Sequence, residues 1–186
     1  TIHDGVLAID SCLKLTSLDG LAGLTKIPGA LVLRRLGISS LNGLQNIRKL
    51  ESSLSIENNL QLTSLNELIN LDTVYSTIRI ISNPLITNLN GLRNLRRAQG
   101  LVIGDNASLV EYCGLYPVLA GENPPVLITD LNLVNATAQD ILNAGPCTPA
   151  QLPVTLKLFT VRCNGNKVIA NWVTTNEFNS SHFVLQ

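Results

Sequence analysis

The chain has 186 residues, of which 45% are apolar, 4% aromatic and 14% charged, and its formal net charge at pH 7 is zero. This length allows one domain, or one domain with a small second one, and the apolar content suffices for a mainly aliphatic core. The lack of a basic excess argues against nucleic-acid binding, and no run approaches the roughly 20 apolar residues of a membrane helix.

Aliphatic residues recur with a nearly constant period. The first column advances in steps of 23, 24 and 24 residues and comprises Leu18, Leu41, Leu65 and Leu89. Two further columns keep this period, namely Leu21, Leu44, Leu68, Leu92 and Leu115, and Leu24, Ile47, Leu71, Leu95 and Val118. A unit of about 24 residues has too few contacts to fold alone, so the units must bury these columns against one another.

Each unit also contains a short segment in which apolar residues alternate with others. The segments are VLAID at 6–10, ALVLR at 30–34, SLSIE at 53–57, TIRII at 77–81 and GLVIG at 100–104. Such alternation predicts a strand with one buried face, and stacking places equivalent strands about 4.8 Å apart in a parallel sheet. We therefore predict a mainly β fold, a right-handed parallel β-solenoid of about five or six coils over residues 1–122.

A polar column follows the predicted strands. Three residues after the last inward strand residue lie Cys12, Leu36, Asn59, Asn83 and Asn106. An inward Asn amide both donates and accepts, and so satisfies backbone groups where the chain turns a corner. We predict a structural ladder of Asn59, Asn83 and Asn106, absent from the first two units, and a buried free thiol at Cys12.

Each predicted strand directs one central residue outward. These residues are Ala8, Val32, Ser55, Arg79 and Val102. The strand ends add Asp10, Arg34 and Glu57, a row of alternating charge on adjacent rungs. We predict that a partner binds this face of the sheet through Val32, Arg34, Ser55, Glu57, Arg79 and Val102.

A short basic cluster, Arg93, Arg96 and Arg97, lies between aliphatic columns. It suits contact with an anionic glycan, and a solvated surface is the simpler alternative. Of the two, the sequence favours the solvated surface.

The sequence offers no set of residues for catalysis. The outward positions contain no carboxylate pair, so the general acid and base of a polysaccharide-cleaving β-helix are missing. His3 and His182 have no carboxylate or serine at a triad-like spacing, and neither a Gly-rich phosphate loop nor a metal-ligand spacing occurs. We expect no enzymatic activity, no metal and no cofactor.

The segment after the repeats predicts a C-terminal cap over residues 123–150. Val126 to Ile128 can add a sixth strand, and NATAQDILNAG is typical of a short helix. Thr137 or Asn135 lies near the start of this helix, and Gly145 lies at its end. Such a cap covers the last apolar face of a repeat stack.

Three repeat segments resemble units of receptor L domains, the ligand-binding leucine-rich repeat solenoids of growth-factor and insulin receptors. They fit the pattern L..I.G.L.I..N..L and read LTKIPGALVL, IRKLESSLSI and LRRAQGLVIGDNASL. The resemblance covers about residues 1–115, and bacterial secreted proteins carry a related domain. It implies a ligand-binding solenoid that is secreted or displayed at the cell surface.

Residues 152–186 look like the opening strands of the immunoglobulin-like or fibronectin-like domain of bacterial proteins exported by the type IX route. The matching positions are Leu152 to Leu156, Phe159, Asn164, Gly165, Trp172, Thr174, Glu177, Asn179, His182 and Phe183. A complete sandwich needs roughly seven strands. Residues 151–186 are therefore expected to hold only its first strands.

The resemblance also implies a disulfide between Cys113 and Cys147. The bacterial domains carry YCGL followed by G.C, found here at 112–115 and 145–147. Such a bond pins the cap to the last coil, and closing so long a loop is worth about 3–4 kcal/mol. Cys163 has no assigned partner.

Together these features predict a non-enzymatic extracellular recognition or adhesion module, a monomer that binds a protein or glycan on its parallel sheet. The alternative is a structural spacer that presents another domain of a larger secreted protein, for instance an enzyme whose catalytic part lies outside this chain. We expect no nucleic-acid partner and no transmembrane segment. Because Met is missing even at position 1, we expect the chain to be a piece of a longer, processed protein.

Overall fold

The computed structural model describes residues 2–3, 5–147, 154–164 and 167–177, with side chains over 5–147. The chain divides into two compact units, Thr1–Cys147 and Thr148–Gln186. The strands, in chain order, are β1 (Ile2–His3), β2 (Val6–Asp10), β3 (Lys26–Ile27), β4 (Leu31–Arg34), β5 (Lys49–Leu50), β6 (Leu54–Glu57), β7 (Thr73–Val74), β8 (Thr77–Ile81), β9 (Gly100–Gly104), β10 (Val126–Asp130), β11 (Val154–Asn164) and β12 (Lys167–Glu177). The helices are α1 (Tyr116–Leu119) and α2 (Ala138–Ala144), with 3-10 turns at Asp19–Leu21, Asn66–Asn70, Asn90–Leu92 and Cys113–Leu115.

The main sheet of the first unit has the strand order β1-β2-β4-β6-β8-β9-β10. The short β1 pairs antiparallel with β2, and the other six strands are all parallel. Five of these six come from the alternating segments, and β10 arises where the cap sequence predicts a further strand. The prediction of a mainly β fold with a parallel sheet is confirmed.

Inward residues of successive strands stack on one another in the core. Leu31, Leu54, Ile78 and Leu101 form one row, each with no exposed surface. The repeat columns complete the core from the opposite side, where Leu44, Leu68 and Leu92 are at most 1% exposed. Burial of each such side chain contributes about 1.5–3 kcal/mol, so the stack is held mainly by aliphatic contacts between units.

A second, smaller parallel sheet has the order β3-β5-β7. Its inward residues Ile27, Leu50 and Val74 are buried beside the main core. A single bridge from Thr73 to Arg97 continues this ladder into the next unit. The small sheet therefore runs beside the main sheet over three strands and one further bridge, and not along its whole length.

A residue in the left-handed backbone conformation directly follows each of the six parallel strands of the main sheet. These residues have φ between 49° and 58° and are Ser11, Arg35, Asn58, Ser82, Asp105 and Leu131. The turn brings the following residue into the core, where Asn59, Asn83 and Asn106 have no exposed surface. The corner is built without glycine at any of the six positions.

The asparagines form a continuous hydrogen-bonded ladder. Asn83 Nδ2 donates to the carbonyl of Ile56 at 2.9 Å, and its Oδ1 accepts from the Asn59 amide at 3.1 Å. Asn106 repeats the arrangement one unit later, donating to Ile80 at 2.9 Å and accepting from the Asn83 amide at 3.0 Å. The side chains thus satisfy backbone groups that the turn removes from the sheet.

The ladder extends one residue further than the sequence predicts. Asn132 Nδ2 donates to Ile103 O at 2.9 Å, and its Oδ1 accepts from the Asn106 amide at 3.1 Å. Asn135 Oδ1 in turn accepts from the Asn132 amide at 3.0 Å. Asn132 escapes the repeat search because it follows Asn106 by 26 residues rather than 24.

The prediction of a buried thiol at Cys12 is wrong. Cys12 is free and exposed, and its Sγ donates to the carbonyl of Asp10 at 3.4 Å. Cys12 follows β2, which is the first of the six parallel strands and has a parallel neighbour on one side only. Leu36, its equivalent in the second unit, is buried.

Helix α2 covers the last units with Ile141, which is 3% exposed. Thr137 is its N-cap: the Thr137 side chain accepts from the Asp140 amide at 3.2 Å, and the Asp140 carboxylate accepts from the Thr137 amide at 2.9 Å. Gly145, with φ of 83°, ends the helix. This reciprocal capping box decides between the two predicted starts in favour of Thr137.

The predicted disulfide is present. Cys113 and Cys147 are joined, with their Cα atoms 4.8 Å apart. The bond links the 3-10 turn that precedes α1 to the chain just after α2. Helix α1, in which Val118 and Leu119 are buried, was not predicted from the sequence. The repeat pattern placed Val118 only in an aliphatic column.

In the compact unit Thr148–Gln186, β11 and β12 form an antiparallel pair. Their register runs from Asn164↔Lys167 to Val154↔Glu177, with two irregularities. Several positions of the proposed immunoglobulin-like match lie outside the described residues, namely Leu152, Pro153, Gly165, Asn179, His182 and Phe183. No helix within the described residues is long and apolar enough to cross a membrane.

Candidate functional site

The outward face of the main sheet brings the predicted binding residues together. Val32, Ser55, Arg79 and Val102 occupy one row on neighbouring strands. Ile128 on β10 continues this row beside Val102 and is 54% exposed. Sequence reasoning missed Ile128 as a site residue, although the predicted sixth strand together with the repeat register could have placed it there.

Glu57 is the centre of a charged cluster on this face. Arg79 Nε donates to Glu57 Oε1 at 3.0 Å, and Ser55 Oγ donates to the same oxygen at 2.7 Å. Arg34 Nε lies 3.2 Å from Glu57 Oε2. This last contact is an ion pair only, since the buried Arg34 Nε has no hydrogen-bond partner among the described residues.

The environment of Glu57 keeps its carboxylate charged. Partial burial alone raises the pKa of Glu57, but hydrogen bonds from Ser55 and Arg79 and the charge of Arg34 outweigh it. The net result is a pKa below the ordinary value of 4.5. Glu57 therefore serves as a fixed anion that orients two arginines at neutral pH.

The six predicted site residues are not equally accessible. Ser55 is only 4% exposed and its hydroxyl is committed to Glu57, whose own side chain is 12% exposed. Arg34 and Arg79 remain 39% and 45% exposed at the side chain. A partner approaching this face meets the two guanidinium groups and the apolar residues beside them, while Ser55 and Glu57 lie beneath.

The predicted row of alternating charge forms only in part. Arg34 pairs with Glu57, but the ion pair of Asp10 is with Arg35, whose Nη2 lies 2.7 Å from Asp10 Oδ1. Arg35 is the left-handed corner residue after β4, and its Nε also donates to Ser11 Oγ at 2.9 Å. The corner residue thus takes the partner that simple strand alternation assigns to Arg34.

Among the described residues, the charged cluster contains a single carboxylate. Glu57 is the one carboxylate of the cluster and is held by two cations, so it is unsuited to act as a general acid. Across the part of the chain that the structure describes, no three His, Cys, Asp or Glu side chains are grouped so as to hold a metal ion. What the cluster offers is charge-assisted hydrogen bonding beside apolar surface.

Comparison with known protein families, with characterised proteins and with solved structures finds no match to this chain.

Proposed function

We propose that Thr1–Cys147 is a right-handed leucine-rich repeat solenoid similar to receptor L domains, and that it is a non-enzymatic recognition or adhesion module. Two features support the solenoid: successive units pair in register in both sheets, and their aliphatic columns are buried against one another. The resemblance to receptor L domains supports a ligand-binding role.

The observation that carries the binding function is the composition of the outward main-sheet face. Arg34 and Arg79 are oriented by Glu57, and they are flanked by Val102 and the exposed Ile128. Arginine beside apolar surface is typical of protein interfaces, where the planar guanidinium forms directed hydrogen bonds. A protein or a glycan carrying hydrogen-bond acceptors is the ligand that this face suits.

Three further proposals complete this function. The Cys113–Cys147 disulfide supports a secreted or cell-surface location, since such bonds persist in oxidising compartments. The antiparallel pair β11–β12 supports the start of an immunoglobulin-like or fibronectin-like domain in residues 151–186. We propose that the chain acts as a monomer.

A structural spacer is the second candidate. The continuous asparagine ladder and the buried columns favour it, because both make the stack resistant to bending between units. In this function the outward face contacts nothing.

Glycan-array and surface-pulldown screening of the immobilised chain separates the two functions. A recognition module retains a ligand, and Arg79→Glu, which replaces a guanidinium by a charge repelled by Glu57, abolishes retention. Lys14→Glu is the control, since it makes the same charge change at an exposed position away from this face. Wild-type protein that retains nothing, or binding insensitive to Arg79→Glu, contradicts the proposed site.

A further inference from the structure

Most of the lysine and arginine residues of the compact unit Thr1–Cys147 lie in or near the segments of the small sheet. Six of the ten lysine and arginine residues within 5–147 lie at positions 26, 48–49 and 93–97. They are Lys26, Arg48, Lys49, Arg93, Arg96 and Arg97. The chain as a whole has zero net charge, and these cations are concentrated in a few short segments.

The strand register aligns three of these cations. Lys26 pairs with Lys49, Lys49 with Thr73, and Thr73 with Arg97 across successive rungs. Neighbouring rungs are about 4.8 Å apart. Because the adjacent positions Ile27 and Leu50 are buried, the alternation of a strand directs Lys26 and Lys49 to the outside. The cations thus form a row that runs along the stack.

Side-chain contacts hold the row in place. Glu51 Oε1 lies 2.7 Å from Lys26 Nζ and 3.2 Å from Lys49 Nζ. Lys49 Nζ lies 4.7 Å and Arg97 Cζ lies 4.9 Å from the centre of the Tyr75 ring. One carboxylate and one aromatic ring therefore position three cations, which lowers the ordering cost of binding an anion there.

The row opens into a depression of about 530 Å³. Arg96, Arg97 and Gln99 line one side of it, and Glu122 and Asn123 are among the residues that line the rest. The backbone amides of Arg96 and Arg97 both donate to the carbonyl of Asp72, at 2.8 and 3.3 Å, which fixes the backbone beneath the two side chains. Neither arginine forms an ion pair with a carboxylate of residues 5–147, so both remain available to a ligand.

We propose that this basic face, defined by Lys26, Lys49, Tyr75, Arg96 and Arg97, binds an acidic polysaccharide independently of the main-sheet face. The cations follow one direction and are interrupted by Thr73 and Glu51, which matches a linear polymer with spaced carboxylate or sulfate groups. Gln99 and Asn123 supply hydrogen bonds suited to sugar hydroxyls.

A nucleic acid fits this face less well. Its phosphates are spaced closely along the backbone, and the acidic groups of Glu51 and Glu122 would lie among them. Binding of single-stranded nucleic acid also relies on free aromatic faces for base stacking. The Tyr75 ring is already in contact with Lys49 and Arg97.

Calorimetric titration of the whole chain with heparin and with polygalacturonate tests the proposal, with neutral dextran and a single-stranded DNA oligonucleotide as comparison probes. The Arg96→Gln/Arg97→Gln double variant is expected to weaken binding of the acidic polysaccharide about tenfold or more, because two charge-assisted contacts are lost. The Lys14→Gln/Arg35→Gln variant removes the same charge elsewhere and is expected to retain wild-type affinity. Arg79→Glu is likewise expected to retain it.

Four results would overturn the proposal. The first is that neither acidic polysaccharide binds at physiological salt, and the second is that the control double variant loses as much affinity as Arg96→Gln/Arg97→Gln. The third is that Arg79→Glu abolishes the binding. The fourth is that the DNA oligonucleotide binds more tightly than both polysaccharides. Because the main-sheet ligand is screened separately with Arg79→Glu, failure here leaves the proposed main-sheet function intact.

Discussion

At the scale of single residues, the buried asparagines are the most exacting feature of the fold. Each replaces backbone partners that the corner removes, because its amide has separate donor and acceptor atoms. Gln has the same amide group but is one methylene longer. Three of them are legible from the sequence because they share the aliphatic period. Their effect can be measured one at a time.

Replacing Asn83 by Ala is expected to lower the free energy of unfolding by about 1–3 kcal/mol, since the buried Asn59 amide and Ile56 carbonyl lose their partners. Urea denaturation measures the change. Asn66→Ala is the control, because Asn66 is exposed and lies outside the ladder. An unchanged midpoint for Asn83→Ala would show that water or a shifted backbone satisfies these groups equally well.

Leu131 is a leucine in a left-handed conformation, with φ of 54°, and is 69% exposed. Asn tolerates this conformation better than Leu, so Leu131→Asn is expected to raise the free energy of unfolding by up to about 1 kcal/mol. Leu133→Asn is the matched control, since Leu133 is 64% exposed and does not have a positive φ. Thermal unfolding of both variants decides, and equal shifts would rule out the conformational explanation.

The pH dependence of Glu57 follows from its depressed pKa. A carboxylate whose pKa is lower in the folded than in the unfolded chain stabilises the fold above the unfolded value, and this contribution is lost as pH falls through the folded pKa. The stability difference between wild type and Glu57→Gln is therefore expected to be constant at neutral pH and to shrink below about pH 4.5. A difference that does not change with pH would refute this assignment.

At the scale of elements, the approach of successive units is limited by backbone contact. A Cβ on Gly91 would lie 1.8 Å from the Leu65 carbonyl oxygen, and one on Gly114 would lie 1.9 Å from that of Leu89. These glycines permit the turns of neighbouring units to touch. Their place in the repeat is legible from the sequence, but the contact that demands glycine is not.

Gly91→Ala is therefore expected to lower the free energy of unfolding by about 1–3 kcal/mol, because the neighbouring turns must move apart. Gly20 holds the equivalent position in the first unit, where a Cβ would meet nothing within 4 Å. Gly20→Ala is expected to leave stability unchanged or to raise it slightly. Chemical denaturation of the pair tests the explanation, which fails if both variants are destabilised alike.

At the scale of the whole compact unit Thr1–Cys147, the disulfide joins the 3-10 turn at Cys113 to the chain after α2. The bond closes a segment with a sequence separation of 34 residues. Replacing both Cys113 and Cys147 by Ser is expected to lower the free energy of unfolding by about 2–4 kcal/mol, mainly through greater freedom of the unfolded chain. Thermal unfolding of the double variant and of reduced wild type should agree, and Cys12→Ser should have no such effect.

The two ends of the stack explain where sequence reasoning succeeds and where it fails. In the middle units every column position has a neighbour on both sides, so Leu44 and Leu68 are as buried as the period implies. After β2, at one end of the six parallel strands, Cys12 is exposed, and after β10, at the other end, Asn132 joins the ladder at an irregular spacing. A repeat pattern assumes that all units are equivalent, and the terminal units are not.

The proposed binding face is likewise only partly predictable from the sequence. The outward positions of Val32, Ser55, Arg79 and Val102 are readable from alternation. The burial of Ser55 and its hydrogen bond to Glu57 are not. The basic row of the small sheet went unrecognised as a unit, because Lys26, Lys49 and Arg97 are separated by more than twenty residues each. The sequence shows only Arg93, Arg96 and Arg97 as a cluster.

The sequence by itself determined the period, the strands and the aliphatic columns, because units that cannot fold alone must bury the same positions against their neighbours. Only the tertiary structure decided which outward groups are free. Glu57 lies between Arg34 and Arg79, while Asp10 pairs with Arg35. These pairings follow from the register between rungs and from the left-handed corners, which set distances of a few ångströms that residue spacing along the chain does not encode.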